Sequence, residues 1–101
     1  MAIYRVFLFK LKDGVTQEQI QEANDAAKQL ETVIPGLISI NVGPALEMSQ
    51  TKGFDMGVIM QMESLEHVKL FATHPEHKKV QKLREAISEG DSLAFMLEYQ
   101  I

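Results

Sequence analysis

Residues 3–11 read IYRVFLFKL, and in an extended chain both faces of that stretch are largely apolar. Ile3, Arg5, Phe7, Phe9 and Leu11 share one side, and Tyr4, Val6 and Leu8 the other. A strand with one wet face alternates apolar and polar residues, so this pattern predicts a strand covered on both sides. Lys12-Asp13-Gly14 supplies the turn that ends it. No small-residue cleavage site follows the apolar start, which therefore reads as a strand and not as a leader.

The rest of the chain supplies elements to pack against it. Thr16 with Gln19 three positions later is a capping box, predicting a helix over 17–33. Its inward stripe is Ile20, Ala23, Ala27, Leu30 and Ile34, with Val33 beside them. Pro35-Gly36 stops it. A second strand over 37–46 places Ile38, Ile40 and Val42 on one face and Leu37, Ser39 and Asn41 on the other. A third, over 54–62, carries Phe54, Met56, Val58, Met60 and Met62 opposite Asp55, Gly57, Ile59 and Gln61. Ser64 caps a short helix holding Leu65, Val68, Leu70, Phe71 and Ala72. Pro75 breaks it, because the residue before a proline is pushed out of helical geometry. Helix then resumes to about Ile87 with Val80, Leu83 and Ile87 inward, and Glu89-Gly90-Asp91 is expected to turn into a closing strand with Leu93, Phe95, Leu97 and Tyr99 alternating.

The order is βαββαβ, which predicts an α+β fold: a four-stranded antiparallel sheet with both helical segments on one face. The 101 residues make one domain, 1–101. Helices then cover one sheet face only, and Phe7, Phe9 and Leu11 are expected to point toward the other. Hiding several hundred Å² of apolar surface contributes on the order of 10 kcal/mol gross at ~25 cal/mol per Å². Closed two-fold pairing is the commonest way to hide it, so the expectation is a homodimer formed through the helix-free faces.

Composition excludes several function classes. There is no cysteine, hence no disulfide, thiolate metal site or thiol nucleophile, which fits a cytoplasmic protein. A net charge of −4 offers no broad basic surface for nucleic acid. The densest basic stretch, His77, Lys78, Lys79, Lys82 and Arg84, interleaves with Val80 and Leu83 as a solvated helix face. No apolar run approaches the ~20 residues that span a membrane. No glycine-rich phosphate loop, nucleotide fingerprint or Ser-His-Asp arrangement is present, so no cofactor is expected.

Five segments carry a family resemblance: VFLFKLKDGVTQEQI, IPGLISINVG, KGFDMGVIMQMES, HPEH at 74–77, and the final LEYQI. In that order and spacing the chain resembles the stress-responsive dimeric α/β-barrel (Dabb) family over nearly all its length. The resemblance implies a ferredoxin-like monomer, paired face to face into a dimeric α/β barrel with a ligand-sized cavity in each subunit. It extends distantly to olivetolic acid cyclase, a member that closes a polyketide by aldol chemistry with a tyrosine and the second histidine of HPxH. That histidine corresponds to His77, but the tyrosine position holds Phe71 and a further cavity histidine corresponds to Arg5.

The candidate residues have two readings each. His77 is either a proton-transferring group near neutral pH or a brace at the helix joint. Arg5, alone among apolar neighbours, either anchors a carboxylate, enolate or phosphate, or pairs with Asp55 or Glu98 across the dimer. His74 is expected to cap or brace the bend through a ring nitrogen, and His67 to be solvated. HPEH with Glu76 between its histidines is a weak metal signal, and no metal is expected. Met48, Met56, Met60, Met62 and Met96 fill core and interface gaps or line an adaptable pocket. Tyr99 secures strand packing. Together Phe7, Phe9, Phe71, His74, Met56 and Tyr99 are the expected ligand-binding set, and His77 with Arg5 the expected catalytic pair. Three functions remain open: a small-molecule-binding stress-type homodimer, a cofactor-free polyketide cyclase or lyase-like enzyme using His77, and a structural or interaction dimer without ligand.

Overall fold

The computed structural model describes residues 2–47, 49 and 51–100, so the methionine at 48 lies outside the described residues. The order is β1 (Ala2–Leu11), α1 (Gln17–Gln29) with a 3-10 turn (Leu30–Thr32), β2 (Leu37–Pro44), β3 (Met56–Met62), α2 (Leu65–Thr73), α3 (Pro75–Ile87) and β4 (Ser88–Tyr99). The strands form one sheet in the order β2-β3-β1-β4, each neighbour antiparallel.

Local chemistry sets the helix ends. The Gln19 amide donates to Thr16 Oγ1 at 3.1 Å, and the Thr16 amide donates to Gln19 Oε1 at 2.9 Å. A cap of this kind contributes about 1 kcal/mol. His67 N–H donates to Ser64 Oγ at the start of α2. His74 serves both helices at the break. Its amide donates to the Phe71 carbonyl that ends α2, and its Nδ1 accepts the Glu76 amide at 3.1 Å at the start of α3. Its extended backbone is what Pro75 requires of the residue before it.

The two faces of β1 are the reverse of the sequence expectation. Ile3, Phe7 and Phe9 are buried beneath the helices, so Phe7 and Phe9 have partners within the chain, among them Ala23, Met56 and Ile87. Leu11 packs against the same cluster. The small Ala23 and Ala27 on α1 leave room for bulky aromatic rings below them, and large-against-small packing fills that layer. Arg5 shares this parity and also faces the helices. The helix-free face carries Tyr4, Val6 and Leu8, which lie opposite Leu97, Phe95 and Leu93 of β4 and Gln61, Ile59 and Gly57 of β3. There Phe95 is 58% and Ile59 50% exposed.

Two irregularities also depart from expectation. Leu37 pairs with Met62 but Ser39 pairs with Gln61, so β2 holds one extra residue, Ile38. A one-residue slip exchanges faces: Leu37 joins Ile40 in the core and Ile38 is exposed. Glu89-Gly90-Asp91 is not a turn between elements but lies within β4. Leu8 pairs with Leu93 and Lys10 with Glu89, so β4 bulges there, and Gly90 takes φ +67°. Val33, expected beside the core stripe, is exposed, as are Leu65 and Leu70 of α2.

Candidate functional site

Beneath α1 and α3, against the inner face of the sheet, lies a cavity of about 60 Å³. Its polar groups come from three elements, with Asn24 of α1 beside those of β1 and α3. Arg5 rises from β1 between Ile3 and Phe7, while His77, Gln81 and Arg84 descend from α3. The rest of the wall is apolar, including Ala23, Leu30, Val58 and Met60. The cavity is therefore within one chain, between helices and sheet. Arg5 thus faces the helices and not, as alternation in the sequence suggests, the face turned toward a second subunit.

His77 is half-buried and tilts against Phe71, with ring centroids 4.1 Å apart and planes at 36°. Its Nδ1 is buried and has no hydrogen-bond partner among the described residues. Burial lowers its pKa from the ordinary histidine value, helped by the positive charges of Arg5 and Arg84 and by His74, while the nearby Ala72 carbonyl opposes the shift. The ring is thus held neutral near physiological pH. Below about pH 6.5 an unfolded chain takes up a proton at this position and the folded chain resists it, so stability falls as pH drops through that value and is regained above it. In denaturant melts at about pH 7.5 and about pH 5.5, His77→Gln is expected to lose less stability on acidification than the wild type. An equal loss would mean that folding does not perturb His77.

Arg5 and Arg84 both lie by the ring of Phe7, their Cζ atoms 5.3 and 4.4 Å from its centroid. Burial, chiefly, lowers the pKa of each guanidinium, and the charge of Arg84 lowers that of Arg5 further. Both stay protonated all the same. None of the ion pairs among the described residues involves either. Asp55, one expected partner of Arg5, instead accepts the Leu11 amide at 2.9 Å.

Of the expected site residues, the cavity brings together Arg5, Phe7, Phe9, Phe71 and His77. It does not include His74, which braces the helix joint, nor Met56, which packs with Phe7 and Phe9 in the neighbouring core cluster. Tyr99 lies on the opposite sheet face, stacked on Tyr4 at 4.3 Å and receiving a hydrogen bond from Gln61 Nε2. His67 is not solvated: it is half-buried, with Nδ1 2.8 Å from Ser64 Oγ. Arg84 is the lining residue that sequence reasoning missed, having set it on a solvated face. His77, Val80 and Arg84 recur at helical spacing, and that stripe was the available signal. Among the described residues no group of three or more His, Asp or Glu side chains is placed to hold a metal ion. No helix of the described residues is long and apolar enough to cross a membrane.

This architecture is that of a ferredoxin-like α+β domain with a cavity between its helices and sheet. The family model of the stress responsive A/B barrel domain matches residues 3–98, and the chain belongs to that family. A Bacteroides fragilis crystal structure, described as a dimeric protein of unknown function with a ferredoxin-like fold, is 25% identical. The match covers 97% of this chain and 96% of that one, with a TM-score of 0.75. An Arabidopsis thaliana protein is 21% identical over 98% of this chain and 96% of that one, at a TM-score of 0.86. Hydroxynitrile lyase from Passiflora edulis shares the fold at 15% identity, over 99% and 96% of the two chains, at a TM-score of 0.82. Among curated proteins, none matches the sequence.

Proposed function

We propose that this protein is a homodimer that binds a small apolar or carboxylate-bearing molecule in the helix–sheet cavity of each subunit. The observation that carries the ligand is the unpartnered, buried Nδ1 of His77 on the wall of a cavity that also holds Arg5. A buried polar atom without a partner is unfavourable by about 1–3 kcal/mol, and a ligand that reaches it recovers that deficit. The dimer rests on the uncovered face of Val6, Leu8, Leu93, Phe95 and Leu97 and on the description of the Bacteroides relative as dimeric.

Cavity size discriminates between ligands. One water needs roughly 10–15 Å³ by this measure, so the space suits a handful of heavy atoms. A polyketide needs several hundred Å³, in the range usual for drug-sized ligands. Phe71 stands in ring contact with His77, at the position where the resemblance would put a phenolic acid, and it has no proton to give. Binding is therefore better supported than polyketide cyclisation. Lyase-like chemistry on a small substrate is favoured by the burial of His77 on the cavity wall, which lowers its pKa and suits a general base. The structural relative from Passiflora edulis, which shares this fold, is a hydroxynitrile lyase.

Titrating a panel of fragments of about five heavy atoms into isotope-labelled protein tests this reading. Amide or side-chain resonances of Arg5, Phe7 and His77 are expected to shift together with at least one fragment, and His77→Ala to remove the shift while the mass stays at twice 11.4 kDa. A panel that moves none of these resonances would overturn the ligand reading.

A further inference from the structure

We infer that Arg5 and Arg84 together seat the carboxylate of a short-chain acid inside the cavity beside His77. The inference rests on the cavity-binding reading above, narrows its ligand to a short-chain carboxylate and adds a second cationic residue. Three observations carry it.

The first is that two like charges have been brought to one small space with no ion-pair partner among the described residues, the one carboxylate felt by Arg84 being the exposed Glu85. Arg5 comes from the middle of β1 and Arg84 from the last turn of α3, and both guanidiniums lie by the Phe7 ring. Neither takes part in an ion pair among the described residues; Glu85, the residue after Arg84, is exposed and lies outside ion-pair range. Half-buried like charges repel and are poorly solvated. The face of an aromatic ring relieves part of this, since it attracts cations within about 6 Å. An anion relieves the rest.

The second is geometry of the donors. A guanidinium presents planar pairs of N–H groups that match a carboxylate. Two of them, both lining the cavity, offer more donors than a neutral ligand of the same size can use.

The third is what surrounds the cations. Away from them the wall is chiefly Ala23, Ala27, Leu30, Val58 and Met60, with Asn24 and Gln81 as uncharged polar groups, which suits a short hydrocarbon tail and no second charged group. The small volume limits that tail to a few carbons. A highly charged phosphate ester would put polar oxygens against this apolar wall, so a monocarboxylate fits better.

Propionate and propionamide are equal in size and differ in charge, which makes them the test pair. Binding of each to wild type, Arg84→Gln and Arg84→Lys is followed by chemical shift at constant ionic strength, with thermal melts confirming that the variants are folded. Propionate is expected to bind wild type at least tenfold more tightly than propionamide. Arg84→Gln should lose at least tenfold for propionate and several-fold less than that for propionamide, and Arg84→Lys should restore part of the loss for propionate. Equal affinity for acid and amide would overturn the inference while leaving the cavity-binding reading in place. Inorganic phosphate binding more tightly than propionate would overturn the carboxylate assignment. Failure of propionate and propionamide alike to move Arg5, Phe7 and His77 would remove the inference, and with no response from the wider fragment panel the binding reading falls too.

Discussion

Phe95→Asp is expected to leave the protein monomeric. Phe95 stands on the helix-free face opposite Val6, between Leu93 and Leu97 on the same strand, and it is more exposed than either. Burying such a ring contributes about 1.5–3 kcal/mol. A carboxylate in its place must instead be stripped of water, at several kcal/mol. Two-fold symmetry makes each loss count twice. The sum exceeds about 5 kcal/mol, a weakening on the order of a thousandfold or more in dissociation constant. Light scattering at high micromolar concentration should read a mass near 11.4 kDa for the variant and twice that for wild type. Lys69→Asp, on the exposed side of α2, should remain dimeric and serves as the control. A Phe95→Asp variant that stays dimeric would show that this face is not the interface.

That prediction names Phe95 and Val6 where a reading of the sequence alone would have named Phe7 and Phe9, and the reason is physical. Alternation establishes that β1 has two apolar faces, but it is symmetric between them. Which face meets the helices is decided by volume: α1 presents the small Ala23, and Phe7 and Phe9 fill the space beneath it. Alternation also fails wherever a strand carries an extra residue. Ile38 and Leu37 exchange faces through one such slip, and Gly90 sits in a longer bulge that reads in sequence as a turn. Signals that depend on local hydrogen bonding were legible. Thr16 and Gln19 cap α1 reciprocally, Ser64 caps α2, and His74 with Pro75 makes the joint between α2 and α3.

The same distinction runs through the site. Arg5 was visible as the one charge in an apolar stretch, and His77 through HPEH, and the structure places both on one cavity. Arg84 was not visible because it belongs to a basic run whose lysines face solvent. Its side chain turns inward only because Phe7 lies beneath the last turn of α3, and that is a fact of tertiary packing. Phe71 was legible as an absent hydroxyl; its role as the surface on which His77 rests was not.

Gly36→Ala is expected to destabilise the fold by roughly 2–5 kcal/mol, in two separable parts. Gly36 has φ +80°, a left-handed conformation that disfavours any side chain by about 1–2 kcal/mol. A Cβ built there would also lie 2.1 Å from the His67 ring, well inside contact distance. Forcing such an overlap apart adds about 1–3 kcal/mol. The close approach exists because the loop before β2 and the start of α2 are tied together: the Gly36 carbonyl accepts the Glu63 amide at 2.9 Å, and the His67 ring is held by Ser64. A double-mutant cycle separates the parts. His67→Ala alone loses its packing and its bond to Ser64, but in the Gly36→Ala background it also removes the overlap. The two changes together should therefore be less damaging than their sum by about 1–3 kcal/mol, leaving the backbone strain. Urea midpoints of the four proteins measure this directly; strict additivity would mean that the ring moves aside freely. The consequence reaches the cavity, since α2 carries Phe71 and Phe71 supports His77. Displacing the start of α2 should loosen that wall, so Gly36→Ala is expected to weaken ligand binding even at temperatures where it remains folded.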